Sequence, residues 1–225
     1  MSQEHSFATP GPAGLGALAV ACFGFGAVFL GKVDISGFPL LAAWLIGGGI
    51  VQYTTAVMEL KDHNITGGNV FLFFAAFFMF AAALSVFAKW YSISFIFIPK
   101  ALDAVAKDPT LQVPALVGAM VGKAVYVEGW LWMAGAGFLT VVTPAYAKGN
   151  LFIFILVLCI DVVLWLIVGC DTGWFSIGGD VKLTKAIIGY LLIVSGVIGI
   201  YLAGATVCNT VYGKPIYYVP PPLIK

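Results

Sequence analysis

Few residues in this chain can do chemistry, and four of them lie in or at the edge of long apolar runs: Gln52, Glu59, Glu128 and Asp161. A polar group at membrane depth is costly and by default marks a solute path, a proton relay or an interhelical contact. Asp161 stands near the middle of LFIFILVLCIDVVLWLIVG, with neither end of the run in easy reach. An ionised aspartate at a helix centre costs ~2.5–3.5 kcal/mol on insertion scales. It must therefore be protonated, paired or facing water, and both a pairing role and a conduction role stay open to it. Gln52 lies inside a run; it either makes an interhelical hydrogen bond, ~0.6 kcal/mol, or borders a solute path. Glu59 closes the same run and can snorkel, pair with Lys61 or touch a solute. Glu128 falls early in its run and can reach the interface.

Other chemistries have little footing. Cys22, Cys159, Cys170 and Cys208 are scattered without a CxxC pair and read as small buried hydrophobes. His5 and His63 stand in polar segments, so no metal site is expected. There is no HExxH, no GxSxG and no Gly-rich phosphate loop; neither an enzyme nor a cofactor is expected. The sequon Asn64-Ile65-Thr66 is a tripeptide common by chance. All eleven basic residues are lysine, which removes the bidentate arginine clamp for carboxylate or phosphate.

The composition decides the class. Of 225 residues, 61% are hydrophobic and 9% charged, with a mean hydropathy of +1.04. A soluble domain carries about 25% charged residues, so this chain cannot cover a water-facing surface. It is expected to be an integral membrane protein with the lipid bilayer as its partner. A net charge of +1 and the lack of a basic stripe argue against nucleic acid. The start, MSQEHSFATPGP, lacks the basic n-region of a secretory signal.

About 20 residues at ~1.5 Å rise cross the ~30 Å hydrocarbon core. Six runs meet that length, at about 13–31, 38–59, 69–88, 124–143, 150–169 and 185–209. The fold class expected is an all-α membrane protein, a six-transmembrane-helix bundle, because lipid offers the backbone no hydrogen-bond partners. Residues 1–12 form an N-terminal segment, 13–209 the membrane domain and 210–225 a proline-rich, extended tail. Spans two and three make a hairpin over 47–80, turning at Glu59, Lys61 and Asp62. The segment 89–123 is the largest piece not counted as spanning; its apolar stretches should lie at the interface or lengthen a neighbouring helix. Ala13, Ala17 and Ala21 in the first span, with Ser195, Gly199 and Ala203 in the sixth, have the spacing that lets helices approach closely. At ~100° per residue the third span divides. One half carries Phe71, Phe73, Phe74, Phe77, Phe78 and Phe80 and suits lipid or another subunit. The slim half, with Ala75 and Met79, suits helix packing or a narrow path.

Three motifs in register resemble the acetate uptake transporter family, the succinate–acetate permeases. Thr9-Pro10-Gly11-Pro12-Ala13-Gly14-Leu15 resembles its opening signature, with threonine where that has asparagine. Gly48-Gly49-Ile50-Val51-Gln52, then Glu59 and Gly68-Asn69, resembles its second hairpin. Ile200-Tyr201-Leu202-Ala203, Asn209 and Tyr212-Gly213-Lys214 resemble its end. The polar turn 61–67 and the segment 89–123 are longer than the family pattern.

The resemblance implies a homo-oligomer, a hexamer of six-helix subunits with one pore each, in the cell (plasma) membrane. It places the constriction at Leu18, Met79 and Cys159 or Ile160. Thr9, Gln52, Glu59, Asn69 and Asn209 at the motif positions, with Asp161, are then the polar pore lining or substrate-binding groups. Asp161 is expected to be neutral when the site is occupied. The function implied is a channel or transporter for acetate or a similar small monocarboxylate, succinate included, with a proton as its companion. The alternative is a small neutral solute such as urea or ammonia; a membrane enzyme or scaffold ranks last. The family orientation, both termini cytoplasmic, leaves seven lysines outside and four inside, against the positive-inside rule.

Overall fold

The computed structural model describes residues 8–224. His5, Lys225 and the first seven residues of the N-terminal segment lie outside the described residues.

Among the described residues the chain forms six helices long and apolar enough to cross a membrane. They are α1 (Gly11–Phe29), α2 (Phe38–Lys61), α3 (Ile65–Lys107), α4 (Val113–Val142, drawn on by a tight turn to Lys148), α5 (Leu151–Thr172) and α6 (Val181–Tyr212). Local chemistry sets their ends. Proline stands in the first turn of α1, α2 and α4, where its missing N–H costs nothing. Asn64, Asn150 and Asp180 cap α3, α5 and α6, each side-chain oxygen accepting from backbone N–H groups of the first turn. Gly173 and Gly213 end α5 and α6 in the left-handed conformation that glycine adopts freely.

All six expected spans are present, and of the two readings of the segment 89–123, at the interface or lengthening a neighbouring helix, the structure matches the second. The segment is neither a loop nor a flat interfacial piece. α3 continues to Lys107 and α4 already begins at Val113, so most of the segment lengthens these two helices into a hairpin. The turn at its tip is closed by Asp108, which accepts from the backbone N–H of Thr110 at 3.0 Å and its hydroxyl at 2.6 Å. These bonds hold the Asp108 carboxyl below its usual range. At ~1.5 Å per residue the 43 residues of α3 run to roughly 65 Å, about twice the hydrocarbon thickness. Two stretches of α3, Ala75–Ala81 and Ile93–Phe97, carry the wider π-type turn.

Sequence neighbours pack side by side, α1 on α2, α2 on α3, α4 on α5 and α5 on α6, and α6 returns to pack on α1. Phe73 of α3 stacks on Phe138 of α4 with ring centroids 4.4 Å apart, completing the ring. The α1–α6 contact is the tightest for a physical reason. A Cβ on Gly26 would stand 3.2 Å from the Gly189 carbonyl oxygen, and one on Gly189 would stand 3.1 Å from that of Gly26. Farther along the same seam, Gly199 faces the Leu15 carbonyl oxygen. Small residues thus let two backbones meet; of those whose spacing in spans one and six points to close packing, Gly199 lies at this seam, while Gly26 and Gly189 belong to neither series.

Gly189→Val should therefore push the ring open, since its Cβ would fall 2.6 Å from Leu30; overpacking of this kind costs about 1–3 kcal/mol. Gly204→Val, on the same helix with nothing within 4 Å, should leave the melting temperature in detergent unchanged. Equal melting of the two variants would refute the close seam.

Candidate functional site

Helix direction alternates around the ring, so each helix contributes one half to each end of the bundle. Two cavities lie in opposite halves. Cavity 1, about 380 Å³, is lined by the start of α1, the end of α2, the start of α3, the end of α4 and the start of α5. Cavity 2, about 290 Å³, is lined by the opposite halves of the first five helices and by the start of α6.

Between them lies an apolar septum. On α1 cavity 1 ends at Leu18 and cavity 2 begins at Phe25; on α5 the corresponding pair is Ile160 and Ile167. Seven residues of helix are roughly 10 Å. On α3 the gap is shorter: Phe74 lines cavity 1, Phe78 lines cavity 2, and their rings touch with centroids 5.4 Å apart. Phe78 also meets Phe25 at 5.5 Å and Trp132 at 6.1 Å. Cys22, Ala136 and Val163 fill the space around them and are wholly buried.

The polar side chains of cavity 1 come from α2, the start of α3 and the end of α4. Gln52 is fully buried in its wall, and among the described residues neither its amide nitrogen nor its amide oxygen has a hydrogen-bond partner. Glu59, about two turns on, is buried and accepts from the Asn64 side-chain amide. Asn64 thus joins α2 to α3 with its nitrogen while its oxygen accepts from Gly67 N–H at 3.0 Å. Tyr146 and Lys148 complete the polar part of this wall. Cavity 2 carries Ser85, Lys89, Glu128, Asp171 and Lys185 among apolar side chains. Glu128 pairs with Lys89 and accepts from the Ser85 hydroxyl.

The residues singled out from sequence separate into two groups. Leu18, Gln52, Glu59 and Ile160 line cavity 1 together. The others stand elsewhere. Met79 is buried against α2, its sulfur 3.2 Å from where a Gly48 Cβ would stand, and lines neither cavity. Cys159, beside Ile160, is half-buried outside both. Thr9 is exposed beside Gly11. Asn69 is exposed, its amide donating to the Ile65 carbonyl of its own helix at 2.8 Å. Asn209 holds the tail: its oxygen accepts from Ile216 and Tyr217 N–H, and its amide donates to the Tyr217 carbonyl. The tail is also tied to the α4–α5 turn, with Leu151 N–H donating to the Pro221 carbonyl at 3.2 Å and Ile224 N–H to that of Ala147 at 2.9 Å.

Asp161 is buried but turned from both cavities. It accepts from the Thr140 hydroxyl of α4 at 2.7 Å, and the Trp165 indole donates to Thr140 at 2.9 Å. Of its two open roles, the geometry matches interhelical pairing.

The inward strip of α3 also departs from expectation. Phe74 and Phe78 are buried beside Ala75 and Met79, while Phe77 and Ala76 are exposed. The strip straddles the boundary between the bulky and slim halves. Composition divides the helix there, whereas contact with α2 and α4 decides which side is inside.

Sequence reasoning missed Lys89, Asp171 and Lys185, with Lys89 and Asp171 just beyond a span and Lys185 at the first residue of one. Their cue was the spacing Ser85–Lys89, one turn apart on a helix that simply had not ended.

No family model matches the chain, and no curated protein matches it. Among solved structures it is similar to the bacterial acetate channel SatP, with a TM-score of 0.69 over 95% of this chain and 99% of that one, at 18% identity. The chain has the fold of a channel. At that identity the likeness is one of fold: six spanning helices in the same arrangement.

Asp161→Asn keeps the size and the bond to Thr140. Its folded yield and the pH profile of any solute flux should equal those of the wild type; a flattened profile would return Asp161 to the path.

Proposed function

We propose that this protein is a multi-pass channel or transporter of the cell membrane that passes acetate or a similar small monocarboxylate, accompanied by a proton, through each subunit. The observation that carries this is the pair of cavities in opposite halves of one ring, separated only by the Phe74–Phe78 contact and its apolar surround.

The chemistry of the path fits a weak acid. Lysines line both cavities, Lys148 in one and Lys89 and Lys185 in the other, and raise the local concentration of an anion. Gln52 offers two N–H donors to a carboxylate and an acceptor to its protonated form. The septum offers neither. Burying an ion there costs several kcal/mol, whereas a small neutral acid with a methyl group meets a surface of its own polarity. Movement as the acid, with the proton travelling along, removes most of that cost. A neutral amide such as urea is the second reading, and what favours it is the same Gln52 amide, which matches urea's donors and acceptor equally well.

A homo-oligomer, in the family's form a hexamer, is part of the proposal. Thr140, the partner of Asp161, and Trp165, which donates to Thr140, lie on the exposed side of α4 and α5. Lipid would leave part of that polar group unmatched, and a second copy of the chain covers it. Native mass spectrometry in mild detergent should show oligomers; monomers alone would refute this.

Flux of labelled acetate against labelled urea in proteoliposomes tests the substrate. Two variants test the path. Phe74→Ala thins the septum and should raise acetate flux several-fold, with urea and larger acids now leaking. Gln52→Leu should lower acetate flux without lowering stability, because an unpartnered buried amide costs the fold about 1–3 kcal/mol that a leucine does not. Unchanged flux in both variants would place the path elsewhere.

A further inference from the structure

Cavity 2 is built with more charge than a passage needs. Lys89 comes from α3, Glu128 from α4, Asp171 from α5 and Lys185 from α6. α1 and α2 contribute only apolar side chains to it. Lys89, Glu128 and Ser85 satisfy one another. Asp171 and Lys185 do not take part in that arrangement. Among the described residues, Asp171 accepts no hydrogen bond, and neither it nor Lys185 stands within ion-pair distance of an opposite charge. Asp171 nevertheless shares one cavity with Lys89, Glu128 and Lys185. A small carboxylate entering here meets an unpaired ammonium and, on the adjoining helix, a carboxyl group with no partner. In apolar surroundings a carboxyl group holds its proton more tightly than in water, and a nearby cation pulls the other way. That balance suits a group that must both give and take a proton.

We propose that cavity 2 binds a small carboxylate at Lys185 and that Asp171 exchanges a proton with it before the acid meets the Phe74–Phe78 septum. The inference rests on the reading that the protein carries small carboxylates. In the step, the proton leaves an Asp171 carboxyl oxygen and bonds to an oxygen of the bound carboxylate; no other bond changes. The acid moves on neutral. The Asp171 carboxylate left behind faces Lys89 and Lys185, which favour its charged form, and Glu128, which opposes it. It reloads from the aqueous mouth of the cavity, and for traffic in the other direction the step reverses. Asp161, on the outer side of α5, takes no part.

The test uses the full chain in proteoliposomes, with labelled acetate outside, a pH-sensitive dye inside and protein-free vesicles subtracted. External pH is varied at a matched, saturating concentration of acetate anion, so that the supply of bound carboxylate is constant. Wild-type uptake should rise as pH falls, because the protonated Asp171 is the form that acts. Above the Asp171 titration it should drop roughly tenfold per pH unit. Asp171→Asn cannot titrate, so its uptake should be low and vary less than about twofold over the same range, while Asp161→Asn keeps the wild-type profile. Lys185→Gln should raise the half-saturating acetate concentration by about fivefold or more, the loss of one cation contact. Asp171→Asn with the wild-type pH profile, or Lys185→Gln with unchanged saturation, overturns the proposal while leaving the transport reading intact. The Lys185 arm stands even if Asp171→Asn does not fold. A folded wild type that carries no acetate or other short monocarboxylate overturns both.

Discussion

Near the path, charge is gathered at the two ends of this bundle. Among the described residues the ionisable side chains lining it lie in one of two cavities, some matched as Glu59 is by Asn64 and Glu128 by Lys89, and about 10 Å of packed apolar side chains keeps the cavities apart. Water and ions are excluded from the septum because it offers them no hydrogen-bonding groups, and a dry interior is close-packed. The aromatic rings of Phe74, Phe78, Phe25 and Trp132 form this barrier through ring contacts rather than covalent or ionic ties. Such a barrier suits the small neutral solute proposed above better than a hydrated ion. Close backbone contact at Gly26 and Gly189 closes the α1–α6 seam beside it.

Much of the fold was legible because the membrane imposes it. Six runs of sufficient length had to be helices, and the prolines and asparagines at their starts fixed most of their ends. That the segment 89–123 could be read two ways has a physical cause. Hydropathy reports whether a helix is buried in lipid, not whether it is a helix. Residues such as those in IPKALDAVAK keep a helix going after its apolar character has lapsed. The π-type stretch Ala75–Ala81 was equally invisible. Met79 and Phe80 of that stretch pack against Gly48 and Gly49 of α2, a contact between helices that no local pattern displays.

The candidate site was legible in depth but not in direction. The sequence shows how far along a span a polar residue lies. Direction needs a helix with distinct faces, and α5 is apolar on every side of Asp161. Nothing local says whether the carboxylate points to the path or to Thr140 on α4. Gln52, Glu59, Leu18 and Ile160 proved to share one wall, whereas Met79, Asn69 and Asn209 are held by packing or by backbone partners that the sequence does not display. Asp171 was overlooked for the opposite reason. At the end of its run it resembled an interfacial charge, yet the extended α3 and α4 rise past it and enclose it with Lys89 and Glu128.

Gln52 shows how the two halves of the argument join. Seven residues away on the same helix, Glu59 is matched by Asn64, so this fold can satisfy a buried polar group where stability is the only demand. Gln52 is as deeply buried and has no such match. An unpartnered amide costs the folded state about 1–3 kcal/mol, and a leucine would fill the same wall without that cost. In a chain whose local signals otherwise agree with its structure, such a conflict points to function rather than to folding. The amide's two donors and its acceptor are left for whatever passes, at the last polar position before the septum begins.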